Sequence, residues 1–153
     1  MRTMQQWLDE YAISHQNPTN KLIHWICVPT IMFSLIGLLM SIPFPGFEKS
    51  LVFNWASVVY VGALIFYIRL SFVMFIGFAL IMGFMIWLNL LMFYSELNLP
   101  LISVILFALA WIGQFRGHQI EGKKPSFLKD LQFLLIGPAW LLHFILRKWG
   151  ISY

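Results

Sequence analysis

Imidazole is the commonest protein ligand for transition metals, so the four histidines of this sequence, His15, His24, His118 and His143, are the first groups to examine for chemistry. Two of them keep polar company at helical spacing. Asn20 stands four residues before His24, Gln114 four before His118, and Glu121 three after it. Those separations put side chains on one face of a helix, where a polar group can orient a ligating ring. A histidine taken alone is more often a hydrogen-bonded interfacial residue than a ligand. Several gathered at one depth would point to a metal ion. Sharper signatures are missing: the chain has no His-Glu-x-x-His, no glycine-rich phosphate loop and no Cys-x-x-Cys pair. Cys27 is the single cysteine, which excludes an internal disulfide, and it lies in an apolar run as a small hydrophobe.

The elements that must position these groups follow from composition. Hydrophobic residues make up 60% of the chain and charged residues 10%, against about 25% charged in soluble domains. Mean hydropathy is +0.80. Water cannot be the solvent for most of such a surface. Four apolar runs, 25–44, 51–68, 72–94 and 99–115, each approach the ~20 residues that carry a helix across ~30 Å of hydrocarbon. Helices are expected because each backbone polar group must be paired within its own segment. A fifth run, 131–146, is short and holds Gly137-Pro138 at its centre. It reads as a kinked span or as a re-entrant hairpin. Ahead of them all, Met4, Trp7, Leu8 and Tyr11 recur at helical spacing within residues 4–12. They predict an amphipathic helix, either lying in the membrane interface or packed on the protein. The expected architecture is an all-α, polytopic membrane helix bundle with four spans, the fifth segment and the N-terminal helix. Residues 1–153 form one integral membrane domain.

Charge sets the orientation. The net charge of +4 comes from basic residues in short loops, which favours topology and lipid headgroups over nucleic acid as its explanation. With a cytoplasmic N-terminus, Arg2, Lys21, Arg69, Arg116, Lys123, Lys124 and Lys129 fall inside and Lys49 outside. Arg147 and Lys148 join the inside set if the fifth run returns, so the charge rule favours the return. His15, His24 and His118 then meet the cytoplasmic interface, and His143 joins them only through the hairpin. The chain opens on a polar stretch, so the first apolar run is expected to stay as an anchor. Short loops and the lack of a retrieval signal favour a bacterial inner membrane over endoplasmic reticulum.

Two stretches carry a resemblance. Tyr11-Ala-Ile-Ser-His15-Gln-Asn-Pro-Thr-Asn20-Lys-Leu-Ile-His24, followed by Pro29, has the form H-x4-N-x3-H-x4-P. Trp111-Ile-Gly-Gln114-Phe-Arg-Gly117-His118-Gln-Ile-Glu121 is followed by Pro125 and later by Gly137-Pro138. Together they resemble the 2-hydroxy fatty acid dioxygenase family over nearly the whole chain. The resemblance implies an Fe(2+)-dependent enzyme that uses O2 to remove one carbon from a 2-hydroxy fatty acid, leaving a fatty acid one carbon shorter. It implies His15, His24 and His118 as iron ligands, with Asn20 and Glu121 as motif members assigned here as candidate catalytic groups. His143 departs from the family pattern, which often has an acidic residue there. It stands as a candidate fourth ligand or as a group beside the ligands.

A 2-hydroxy acid can chelate iron through carboxylate and hydroxyl, and three protein ligands leave positions for that chelate and for O2. Arg116, Lys21 and Arg147 are candidates to hold the carboxylate, against the plain reading of each as an inside charge. Aromatic-rich helices and membrane lipid would surround the acyl chain. Two readings from other classes stand beside this one. One is a non-catalytic membrane protein with a structural metal site. The other is a zinc-dependent membrane lipid hydrolase with Glu121 as general base. Substrate chain length and oligomeric state are left open by the sequence.

Overall fold

Polar residues decide where each helix of the computed structural model begins. The structure describes residues 2–47, 50, 52–95, 97–122 and 133–153. Lys49, Lys123, Lys124, Lys129 and Pro125, and the start of the expected fifth run, lie outside the described residues. Helix α1, Met4–Ala12, opens on a reciprocal pair in which the Thr3 hydroxyl caps the Gln6 N–H and the Gln6 side chain returns to Thr3 N–H. Asn17 caps α2, Pro18–Ser41, with proline in the first turn. Asn54 caps α3, Trp55–Ile68. Ser71 caps α4, Phe72–Tyr94. Asn98 caps α5, Leu99–Ile120. Helix α6, Ile136–Lys148, carries Gly137 and Pro138 in its first turn. Described residues contain no strand, and the architecture is the all-helical membrane bundle that the composition demands.

Helices α2, α4 and α5 have 24, 23 and 22 residues and are long and apolar enough to cross a membrane. Helix α3 has 14 residues, or roughly 21 Å at 1.5 Å per residue. It is shorter than the apolar run 51–68 because Asn54, buried, accepts the Ser57 N–H and so starts the helix only at Trp55. Helix α6 differs more from expectation. Its glycine and proline begin the helix and do not break it, since a proline in the first turn costs no backbone hydrogen bond. It has 13 residues, of which nine are buried, so protein and not lipid surrounds it. It packs on α1, α2 and α4.

The distribution of side chains suits lipid. Leu80 is 70% exposed and Leu109 60%, whereas Ser34, Asn89 and Ser103 are fully buried between helices. Polar groups inside and alkyl groups outside are the arrangement expected where the solvent is hydrocarbon. Met4, Leu8 and Tyr11 of α1 join the core together with Trp140, Leu141 and Leu142 of α6, while Gln5, Gln6, Asp9 and Glu10 face outward. This settles the two readings of α1 in favour of packing on the protein.

Helices α2 and α5 form the tightest pair of the bundle, antiparallel and joined through glycine. A Cβ at Gly113 would lie 2.5 Å from Cys27 Sγ, and one at Gly117 2.3 Å from Asn20 Oδ1. Only glycine allows backbones this close, and the contact fixes the N-terminal end of α2 against the C-terminal end of α5. His24 and His118 are brought to one level by it.

Candidate metal centre

His15 sits in the short connection between α1 and α2, His24 in the second turn of α2, and His118 in the last turn of α5. All three are buried. Among the described residues they form a group whose ligand atoms lie within 4.8 Å of one another. The ring of His15 is 4.2 Å from that of His24 and 5.5 Å from that of His118, and His24 and His118 are 5.3 Å apart.

Hydrogen bonds set the tautomers of two rings. His15 Nδ1 lies 2.7 Å from the Tyr11 carbonyl oxygen, and His24 Nδ1 lies 3.0 Å from the Asn20 carbonyl oxygen. A carbonyl only accepts, so each Nδ1 carries the proton and donates it. Each Nε2 is then a bare lone pair, yet the two Nε2 atoms stand 2.8 Å apart. Burial pushes the His15 imidazole down to about 4, against a partial rise from the Tyr11 carbonyl, so it is neutral at physiological pH. Two lone pairs face to face in a buried site repel unless a cation lies between them. With a metal–nitrogen bond of about 2.1 Å, cis ligands of one ion stand about 3.0 Å apart, close to the observed spacing. The residues present therefore fit a bound transition metal, with imidazole donors of the kind that suit iron, zinc or copper.

The walls around the cluster are aromatic. Tyr11 stacks on His15 at 4.0 Å with an interplanar angle of 8°. Trp140 stands 5.4 Å from the same ring. These two residues were not among the sequence candidates. Tyr11 opens the first quoted stretch, but nothing in its spacing announces a stacking role.

Asn20 and Glu121 form a clamp. The Glu121 carboxylate accepts the N–H of Gln16 at 2.7 Å, that of Asn17 at 3.0 Å, and the Asn20 side-chain N–H at 2.9 Å. Burial alone would raise the Glu121 carboxyl, but these three donors outweigh it and hold the group below its ordinary value. The residue that caps the C-terminus of α5 thereby ties down the connection that bears His15 and the N-terminus of α2, where a carboxylate also meets a favourable helix dipole. Asn20 and Glu121, expected as catalytic groups, are bonded to each other and to the backbone of the connection that bears His15.

His143 stands outside the cluster. Its Nδ1 meets the Tyr153 hydroxyl, in a separate cavity shared with Gln5 and Arg147. Because Gly137-Pro138 begins α6, the residue of that helix that reaches His15 is Trp140, three positions earlier. His143 turns toward the C-terminal segment, which removes it from the ligand set expected from the sequence. The three basic candidates also lie apart. Arg116 is exposed beside Gln119, Lys21 is half-buried on α2, and Arg147 accompanies His143.

Beside His24 and His118 lies a narrow cavity of about 30 Å³. Val28, Ile31 and Met32 of α2 form one wall, and Trp111 and Gln114 of α5 another; Gly137 and Pro138 contribute from α6. A largely apolar lining that ends on imidazoles is of the kind that meets the head of a lipid-like acid.

Comparison with known proteins places the chain among relatives by sequence. The family model described as 2-hydroxy-palmitic acid dioxygenase Mpo1-like matches residues 1–149. The 2-hydroxy-palmitic acid dioxygenase MPO1 of Saccharomyces cerevisiae is 29% identical over 143 residues, covering 92% of this chain and 78% of the yeast protein. No solved structure matches.

Proposed function

The chain belongs to the 2-hydroxy-palmitic acid dioxygenase Mpo1-like family, and from that premise we propose that it is an Fe(2+)-dependent membrane dioxygenase. Its substrate would be a 2-hydroxy fatty acid, its co-substrate O2, and its product a fatty acid one carbon shorter. The observation that carries the reading is the pair of facing Nε2 lone pairs of His15 and His24, with His118 beside them.

Each group has a task in this reading. His15, His24 and His118 hold the iron. The Tyr11 and Asn20 carbonyls fix the first two rings and raise their basicity through the Nδ1 protons. Ferrous iron would supply the electrons that activate O2, as at other open non-haem sites. Tyr11 and Trp140 close the site against water on the α1 and α6 side. The slot between α2 and α5 orders the alkyl chain and leaves carboxylate and hydroxyl at the histidine end. Arg2, Lys21 and Arg116 belong to the end of the bundle that carries the histidines, which supports a site on the cytoplasmic face, and we retain the bacterial inner membrane as the setting. The engagement of Glu121 by three N–H donors speaks against its use as general base in a zinc hydrolase.

The test is metal analysis of anaerobically purified protein, followed by O2 uptake with 2-hydroxypalmitate and mass analysis of the product. One iron per chain, O2 consumption and a product one carbon shorter are expected. Zinc without O2 uptake, or a protein that binds no metal, would overturn the proposal.

A further inference from the structure

Resting on the reaction proposed above, we propose that Gln114 recognises the 2-hydroxyl group of the substrate and so sets the preference for 2-hydroxy over unsubstituted fatty acids. Gln114 lies one helical turn before His118 on α5 and lines the same cavity as His24 and His118. Its Oε1 is buried and has no hydrogen-bond partner among the described residues. Of the α2 residues that line the cavity, Val28, Ile31 and Met32 cannot donate to it, and His24 commits its Nδ1 proton to the Asn20 carbonyl. A buried amide oxygen left without a donor is unfavourable, so the cavity is built for a ligand that brings one.

The class of ligand follows from the position. A fatty acid with its carboxylate at the histidines keeps its 2-hydroxyl, three bonds from a carboxylate oxygen, at the same end of the cavity, where Gln114 stands one turn from His118 on the same helix face. A hydroxyl there donates to Oε1. A plain fatty acid puts a methylene against the same oxygen and leaves it desolvated and unpaired. Sites that hydrogen-bond a substrate hydroxyl reject the analogue that lacks it far better than apolar pockets reject an added group. The hydroxyl is also the feature that makes the acid a substrate, so recognition and reactivity coincide on one atom.

The test uses the full chain in lipid nanodiscs, loaded with iron and kept anaerobic, with binding of 2-hydroxypalmitate, palmitate and 2-fluoropalmitate measured at equilibrium. The fluoro acid has nearly the size of the hydroxy acid but no donor. Wild type is expected to bind 2-hydroxypalmitate at least about tenfold more tightly than either analogue. Gln114→Met and Gln114→Leu are expected to bring all three acids to within about threefold of one another, with iron content unchanged. A preference that survives in the variants, or equal weakening of all three acids, would overturn the assignment. Should neither variant insert, wild type still decides: 2-fluoropalmitate binding as tightly as 2-hydroxypalmitate removes the need for an acceptor. If wild type turns over 2-hydroxypalmitate while the variants keep its preference, Gln114 alone is misassigned. If wild type neither prefers nor consumes the hydroxy acid, both the assignment and the proposed reaction fail.

Discussion

The Nε2 atoms of His15 and His24 face each other at 2.8 Å while both Nδ1 atoms donate to backbone carbonyls. The relationship is unfavourable without a cation and favourable with one, so a metal bound at this point would be coupled to folding. Iron added anaerobically to metal-free protein should raise the thermal midpoint. The gain should be about 2.7 kcal/mol when free iron is 100 times its Kd. His24→Ala and His118→Ala should each bind less than a tenth of an iron per chain and lose that gain, while still inserting as helical protein. Midpoints that do not respond to iron in the wild type would count against a three-histidine site.

The same burial gives the metal-free protein a pH dependence. The His15 imidazole is held at about 4 in the folded chain against 6.5 for the free group. As pH falls through 6.5 the unfolded chain takes up this proton and the folded chain does not, so stability declines. The decline from this group ends near pH 4, below which both states are protonated, and it is absent above pH 7. From the shift of 6.5 to about 4 the loss is about 3 kcal/mol. Denaturation of the metal-free protein at pH 7, 5.5 and 4.5 should show that order of stability, and His15→Gln should flatten it. An unchanged profile in the variant would assign the dependence elsewhere.

Much of this arrangement was legible in the sequence, for reasons that differ by residue. The apolar runs of α2, α4 and α5 declare themselves because hydrocarbon demands uninterrupted apolar length. Residues 4–12 declare α1 because one face must be buried. His15, His24 and His118 are expected at one level because all three border the same end of the first and fourth apolar runs, and the structure brings them together. The family resemblance to 2-hydroxy fatty acid dioxygenases holds over the chain. The role of Glu121 was not legible, since a carboxylate near a histidine reads equally as a base or as a clamp until its donors are seen. The register of α6 was hidden too. Gly-Pro in mid-run suggests a break, whereas here it starts the helix, and that shift sends Trp140 to the histidines and His143 to Tyr153. Tyr11 and Gln114 owe their places to tertiary packing, which no local pattern encodes.

If Glu121 clamps and does not catalyse, Glu121→Ala should separate the two roles. Loss of three charge-assisted hydrogen bonds at a partly exposed carboxylate should cost about 1–2 kcal/mol of stability. The connection bearing His15 is released with it, so iron affinity should fall about 10–100-fold. At saturating iron, turnover per bound iron should return to within about threefold of wild type, since no proton transfer through the carboxylate is lost. A fall of more than about 100-fold in turnover at full iron occupancy would mark it as a catalytic group after all.

The contact between Gly117 and Asn20 offers a sharper probe of how the bundle builds the site. A Cβ at position 117 would lie 2.3 Å from Asn20 Oδ1 and 3.4 Å from Ile23 Cγ2. Asn20 cannot retreat, because its amide is fixed on Glu121 and on the Ser14 carbonyl. Gly117→Ala must therefore push α5 away from α2, which widens the spacing of His118 from His24 and disturbs the clamp together. The overpacking should cost about 1–3 kcal/mol, and iron affinity should fall although no ligand is altered. Gly62→Ala is the control, because a Cβ there meets nothing within 4 Å, and it should leave both quantities near wild type. Equal iron affinity in the Gly117→Ala and Gly62→Ala proteins would mean that the α2–α5 contact does not set the metal geometry.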